Sequence, residues 1–75
     1  MAKYNWINDE VKIDFEVEDE VLRNTINDCE RFDLAHDFQY FGMAEAIDNL
    51  CKMFYAGGHM NQEEWDKLVG RYPGL

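Results

Sequence analysis

Apolar and polar residues alternate without a break from Val11 to Glu18. Val11, Ile13, Phe15 and Val17 fall on one side, and Lys12, Asp14, Glu16 and Glu18 on the other. Asp19 and Glu20 continue the acidic run. A period of two is the pattern of a strand with one buried and one wet face. Just upstream, Ala2, Tyr4 and Trp6 alternate with Lys3, Asn5 and Ile7, and Asn8-Asp9 has turn chemistry. The preferred reading is a β-hairpin of residues 3–7 and 11–17. The competing reading is an irregular N-terminal arm, with 11–17 pairing against another copy of the chain. A two-stranded ribbon is not stable alone, so the apolar side needs helices or a partner beneath it.

The period then changes to that of helices. Asp19 is placed to cap the first, with Glu20 at its positive end. Leu22, Ile26, Cys29 and Phe32 follow at spacings of four, three and three, predicting an amphipathic helix over about 20–36. Its polar side carries Asp28, Glu30, Asp33 and Asp37. A short connection leads into a second helix over about 40–56, with Met43, Ile47, Leu50 and Phe54 as its core stripe and Gly57-Gly58 as its stop. Asn61 and Glu64 have capping-box spacing for a third helix over about 62–71, and Met60 is set to staple onto Trp65. Pro73-Gly74 ends it. The expected fold is α+β: a short N-terminal hairpin or strand packed on three helices, one compact domain over residues 1–75.

Composition changes this picture in one respect. Eleven of the 75 residues are aromatic, a heavy load for the thin core of so small a domain. Two readings stand: half-buried rings capping that core, or a surface that meets a partner or a second copy, for which a homodimer is the expectation.

Charge changes it more. The net charge is −9. Residues 1–37 hold 11 acids against four bases, and the 12 residues from Asp9 to Glu20 alone hold seven acids against one base. That field opposes direct binding to nucleic acid phosphates or to an anionic membrane and favours a basic protein partner. On a strand, alternate carboxylates repeat at ~6.7 Å, of the order of successive phosphates along a nucleic acid strand. The candidate partner-binding residues are therefore Asp9, Glu10, Asp14, Glu16, Glu18, Asp19, Glu20, Glu30 and Asp33, with Tyr4 and Trp6 as edge anchors. Against this stands a plain alternative, that the acids only solubilise the chain.

Catalytic and metal chemistry find little support. The chain has no serine, no phosphate-binding glycine loop and no calcium-loop pattern. Cys29, His36, Cys51 and His59 are the residue types of a zinc site, but no C-x2-4-C or H-x3-5-H pair occurs. A ~16-residue helix would separate the two histidines by ~24 Å. Both cysteines fall on apolar helix faces, as small buried hydrophobes do. No cofactor, no metal and no enzymatic activity are expected. Two cysteines are too few for a secreted disulfide framework. Met1 is followed by Ala-Lys-Tyr-Asn-Trp rather than an apolar signal segment. A cytoplasmic location with reduced thiols is expected.

In size, acidity and lack of catalytic motifs, the chain resembles the small acidic anti-defence proteins of phages and mobile elements, the anti-CRISPR and antirestriction proteins, several of which mimic DNA. The resemblance implies a non-catalytic inhibitor that occupies the basic, nucleic-acid-binding groove of a host protein such as a CRISPR–Cas or restriction component. The segment Gly57-Gly58-His59-Met60-Asn61-Gln62-Glu63-Glu64-Trp65 is similar to the lead-in to the terminal helix of short bacterial helical-hairpin oligomerisation domains. It implies the alternative, a small oligomerisation or regulatory module.

Overall fold

The structure, a computed structural model, describes residues 5–74. Its elements in chain order are α1 (Glu20–Leu34), α2 (Gln39–Ala56) and α3 (Gln62–Arg71). No strand occurs among the described residues, so the fold is all-helical and the expected α+β hairpin is not formed. Residues 3 and 4 of the expected first strand lie outside the described residues.

The period-two pattern nevertheless does what it requires. Through Val11–Glu20 every odd-numbered residue is half-buried and every even-numbered one exposed. The segment is a strap that bends at Val11 and Phe15 and lies on helices, not on a second strand. Both α1 and α3 pack on α2, and neither makes a close backbone approach to the other. The strap fills the gap between them. Its N-terminal end is tied to the C-terminal ends of both helices: Asn5, Trp6 and Ile7 bond Asp33 of α1, and Asn8 N donates to Arg71 O at 2.9 Å. Lys67 pairs with Asp14 midway, and the strap then runs into the start of α1 at Asp19. It therefore runs antiparallel to α1 and α3.

The missing sheet has a physical reason. Backbone polar groups of an extended segment need partners, and here side chains of the helices supply them. Arg71 Nη1 donates to Val11 O at 2.9 Å, and Arg23 Nη1 donates to Val17 O at 3.0 Å and to Glu18 O at 3.3 Å. Hydrophobic alternation reports one-sided burial; it does not report what the backbone bonds to.

Helix boundaries follow from local chemistry. Asp19 caps α1, its Oδ2 accepting from Leu22 N at 2.8 Å. Expected to run to residue 36, α1 stops at Leu34 because His36 takes a left-handed φ of 55° and Asp37 N donates back to Phe32 O at 2.9 Å. This is a Schellman-type turn with histidine where glycine is usual. The C-terminus of α2 repeats it with glycine: Gly58 has φ 80° and His59 N donates to Phe54 O at 2.8 Å. Gln39, one residue before the expected start, opens α2; Asp37 Oδ1 accepts from Gln39 N at 2.9 Å. The expected capping box of Asn61 and Glu64 is formed.

The core gathers Ile7, Leu22, Ile26, Cys29, Tyr40, Ala44, Ile47, Cys51, Leu68 and Tyr72. On α2 the most buried line is Tyr40-Ala44-Ile47-Cys51, rotated from the expected stripe, whose Met43, Leu50 and Phe54 are half-buried. Both buried tyrosines satisfy their hydroxyls: Tyr40 donates to Pro73 O at 3.0 Å and Tyr72 to Glu30 Oε2 at 2.9 Å. Among the described residues no helix is long and apolar enough to cross a membrane.

Candidate functional site

The wet side of the strap is the largest coherent charged feature. Asp14, Glu16, Glu18 and Glu20 project from alternate positions of a backbone held by both flanking helices, and all are exposed. Asp9 and Glu10 are exposed at the turn before it. Asp14 is not free for a partner. Lys67 Nζ donates to its Oδ1 at 2.7 Å, which holds the carboxyl below its ordinary range and raises the lysine. No ion pair among the described residues engages Glu16, Glu18 or Glu20. Asp19 is half-buried and spends one oxygen on the cap of α1.

Two acids expected on this surface have other work. Asp33 is fully buried. Its Oδ1 accepts from Trp6 N at 2.5 Å and from Ile7 N at 3.3 Å, and its Oδ2 from Asn5 N at 2.9 Å. The Asn5 side-chain amide also donates to the Asp33 carbonyl. Three successive amides thus cradle one carboxylate, and Asp33 is a fastener rather than a docking residue. The signal was in the spacing: Asp33 lies four residues after Cys29 and seven after Ile26, on the core face of α1. A carboxylate placed there requires donors, and the arm supplies them. Glu30 is half-buried, accepting from the Tyr72 hydroxyl and standing 3.9 Å from Arg71 Nη2.

Trp6 does not stand free as an edge anchor. It is half-buried, stacked on His36 (centroids 4.9 Å, planes 10° apart) and on Tyr40 (5.3 Å), with Phe41 at 4.9 Å. Tyr4 lies outside the described residues. The cluster continues outward to Phe38, which is 75% exposed; Leu34, the last residue of α1, is 52% exposed. Sequence periodicity missed this patch because Leu34 and Phe38 flank the turn between α1 and α2, where helical spacing stops being informative.

Where the strap meets the start of α1, a cavity of about 550 Å³ opens. Phe15, Leu22, Phe54 and Met60 give it apolar walls, and Glu16, Glu18, Asp19 and Glu64 give it carboxylates. Its volume lies within the range of ligand-sized clefts, roughly 300–1,000 Å³. Among the described residues no lysine or arginine lines it, and the exposed His59 does. Only the folded arrangement brings residues 15–22, 54 and 59–64 together, so no local pattern marks it.

Cys29 and Cys51 are both fully buried. Burial pushes the Cys29 thiol up to about 12, helped by the charges of Asp33 and Glu30, and pushes the Cys51 thiol up to about 12, helped by Asp48. Both stay protonated at neutral pH and neither is poised as a thiolate nucleophile. Among the described residues no cluster of three or more His, Cys, Asp or Glu side chains is placed to hold a metal ion. Set against protein-family models, curated proteins and solved structures, the chain matches none.

Proposed function

We propose that this chain is a binding protein rather than an enzyme, and that it acts by laying the acidic edge of its strap into a basic groove of another protein. The groove is of the kind that otherwise holds nucleic acid, as in a CRISPR–Cas or restriction component, and occupying it excludes that substrate. The observation that carries the reading is the alternating burial of Val11–Glu20. It turns Glu16 and Glu18 outward from the strap and Glu20 outward from the first residue of α1. Carboxylates on a backbone fixed before binding lose little conformational freedom in the complex. Their field speeds association with a basic surface and makes it salt-sensitive.

Competition tests it. The chain is immobilised, basic proteins are captured from host lysate at low salt, and each is assayed for release of a labelled duplex oligonucleotide as the chain is added. Release that weakens steeply with salt is expected, and it should be abolished by Glu16→Lys, Glu18→Lys and Glu20→Lys together. Capture that survives the triple reversal unchanged, or captured proteins that keep their nucleic acid, would sink the proposal.

A second reading, self-association, is favoured by a different observation: the exposed Phe38 at the edge of the Trp6 cluster. It predicts a dimer whose sedimentation is insensitive to salt and which Phe38→Glu dissociates. A strict monomer at high concentration eliminates it.

A further inference from the structure

The cavity between the strap and the start of α3 combines features that a solvated acidic face does not need. Phe15 enters from the strap, Leu22 from α1, Phe54 from α2, and Met60 from the segment before α3. They form apolar walls capable of taking an alkyl stem and the flat face of a cation. Two carboxylates at its edge are immobilised by helix caps. Asp19 Oδ2 accepts from Leu22 N at 2.8 Å, and Glu64 Oε1 accepts from Asn61 N at 3.1 Å. Each leaves its second oxygen without a hydrogen-bond partner among the described residues. Glu16 and Glu18 add two more carboxylates that no ion pair among the described residues engages.

Two helix N-termini, of α1 and α3, meet at this cavity, and alone they would favour an anion. Each contributes about half a positive charge, and four carboxylates outweigh them. The site therefore combines apolar walls with a net anionic lining, and among the described residues no lysine or arginine lines it to neutralise the charge. We infer that this cavity is a socket for an arginine side chain of a protein partner, its methylenes against Phe54 and Met60 and its guanidinium shared among the rim carboxylates. Arginine fits better than lysine because a planar fork engages two fixed carboxylates at once and stacks on an aromatic face. The inference rests on the reading of the strap as a docking edge and adds to it a single anchoring residue in the partner.

The test uses the full chain, labelled with 15N, and the blocked peptide acetyl-Leu-Arg-Leu-amide, with citrulline in place of arginine as the neutral control. Saturable amide shifts at residues 15–19, 54 and 59–64 are expected, with binding about tenfold or more weaker for the citrulline peptide. Met60→Trp, which fills the cavity without altering charge, should abolish the shifts. If that variant loses native circular dichroism, His59→Trp at the exposed margin blocks the mouth instead. Glu45→Lys, exposed on α2 and outside the cavity lining, should leave them intact. Absent shifts at millimolar peptide, or equal binding of the citrulline control, would overturn the socket. So would shifts spread along Glu16, Glu18 and Glu20 that neither blocking variant removes. That last outcome leaves the docking edge standing; conversely, a filled socket with no nucleic acid released from any basic protein removes the inhibitory reading alone.

Discussion

Asp33→Asn is the sharpest perturbation this fold offers, because it changes one atom and no volume. The native carboxylate takes three backbone amides in the interior, from Asn5, Trp6 and Ile7. A hydrogen bond to a charged acceptor contributes ~1.5–3 kcal/mol and a neutral one ~0.5–1.5. In the variant the remaining carbonyl oxygen still faces Trp6 and Ile7, at the lower value. The new amide group faces Asn5 N–H, donor against donor, and an unsatisfied buried donor costs ~1–3 kcal/mol. Two bonds weakened by ~1 kcal/mol each, one bond of ~2 lost and one donor unsatisfied at ~2 sum to roughly 6 kcal/mol; the desolvation of a buried charge, which the neutral variant no longer bears, offsets about half, leaving roughly 3 kcal/mol. A chain of this length has roughly 4–11 kcal/mol in total. The melting temperature should fall on the order of 15 °C, at ~4–8 °C per kcal/mol. Urea unfolding followed by far-UV circular dichroism measures the free energy. Amide exchange at Asn5, Trp6 and Ile7 reports the arm itself, and should accelerate well beyond the change in global stability as the arm frays. A loss under ~1 kcal/mol with unchanged exchange at those three amides would show that Asp33 is not what fastens the arm.

Four further outcomes follow from other parts of the molecule. Asn61→Ala removes the capping box of α3 and should cost about 1 kcal/mol in urea titration. Gly70→Ala should stabilise by ~0.5–1 kcal/mol, because a Cβ there meets only Val11 Cγ2 at 3.8 Å, an ordinary contact; Gly70→Leu should reverse that gain by lifting the strap. On the alkaline side stability should fall as pH rises past 9: burial raises Cys29 and Cys51 from 9.0 to about 12 and raises Tyr40 and Tyr72 above their ordinary 10.0, so the folded chain keeps protons the unfolded chain releases, as chemical denaturation across pH 8–11 will read. At pH 8 neither thiol should react with a disulfide reagent until urea unfolds the chain, and fast native labelling of either would contradict its burial.

What could be read in advance, and what could not, divides along the range of the interactions. Caps are local, and Asp19, Asn61 and Glu64 declared theirs through residue type and spacing. One-sided burial of Val11–Val17 was legible in the alternation for the same reason. Its secondary structure was not, because the bonds that satisfy the strap come from Arg23 and Arg71, the latter 60 residues away from the carbonyl it reaches. Lys67 and Arg71, one turn apart on α3, share a face, and that face meets the strap. The left-handed turn at His36 carried no glycine to announce it. Asp33 was on the core face by count, but its polarity argued for the surface, and only the arm's return across the end of α1 resolves the conflict.

The acids of this chain therefore fall into two populations with different consequences. Asp33 and Glu30, together with the capping carboxylates of Asp19 and Glu64, are bonded to backbone amides or buried hydroxyls, and each holds one piece of the chain to another. Replacing any of them should register first as lost stability. Glu16 and Glu18 form no ion pair among the described residues, and Glu20 adds no more than a helix-dipole contribution of about 0.3–1 kcal/mol at the start of α1. They stand exposed on a backbone fixed by other residues, and surface substitutions of that kind move stability by about ±0.5 kcal/mol or less. Removing like charges from a chain at −9 would, if anything, relieve self-repulsion. An anionic row that the fold does not use, and that the net charge penalises, is the part of the molecule free to be shaped by what it binds. Neutralising it should leave folding intact while abolishing capture of a basic partner, a separation that an acidic surface serving solubility alone would not produce.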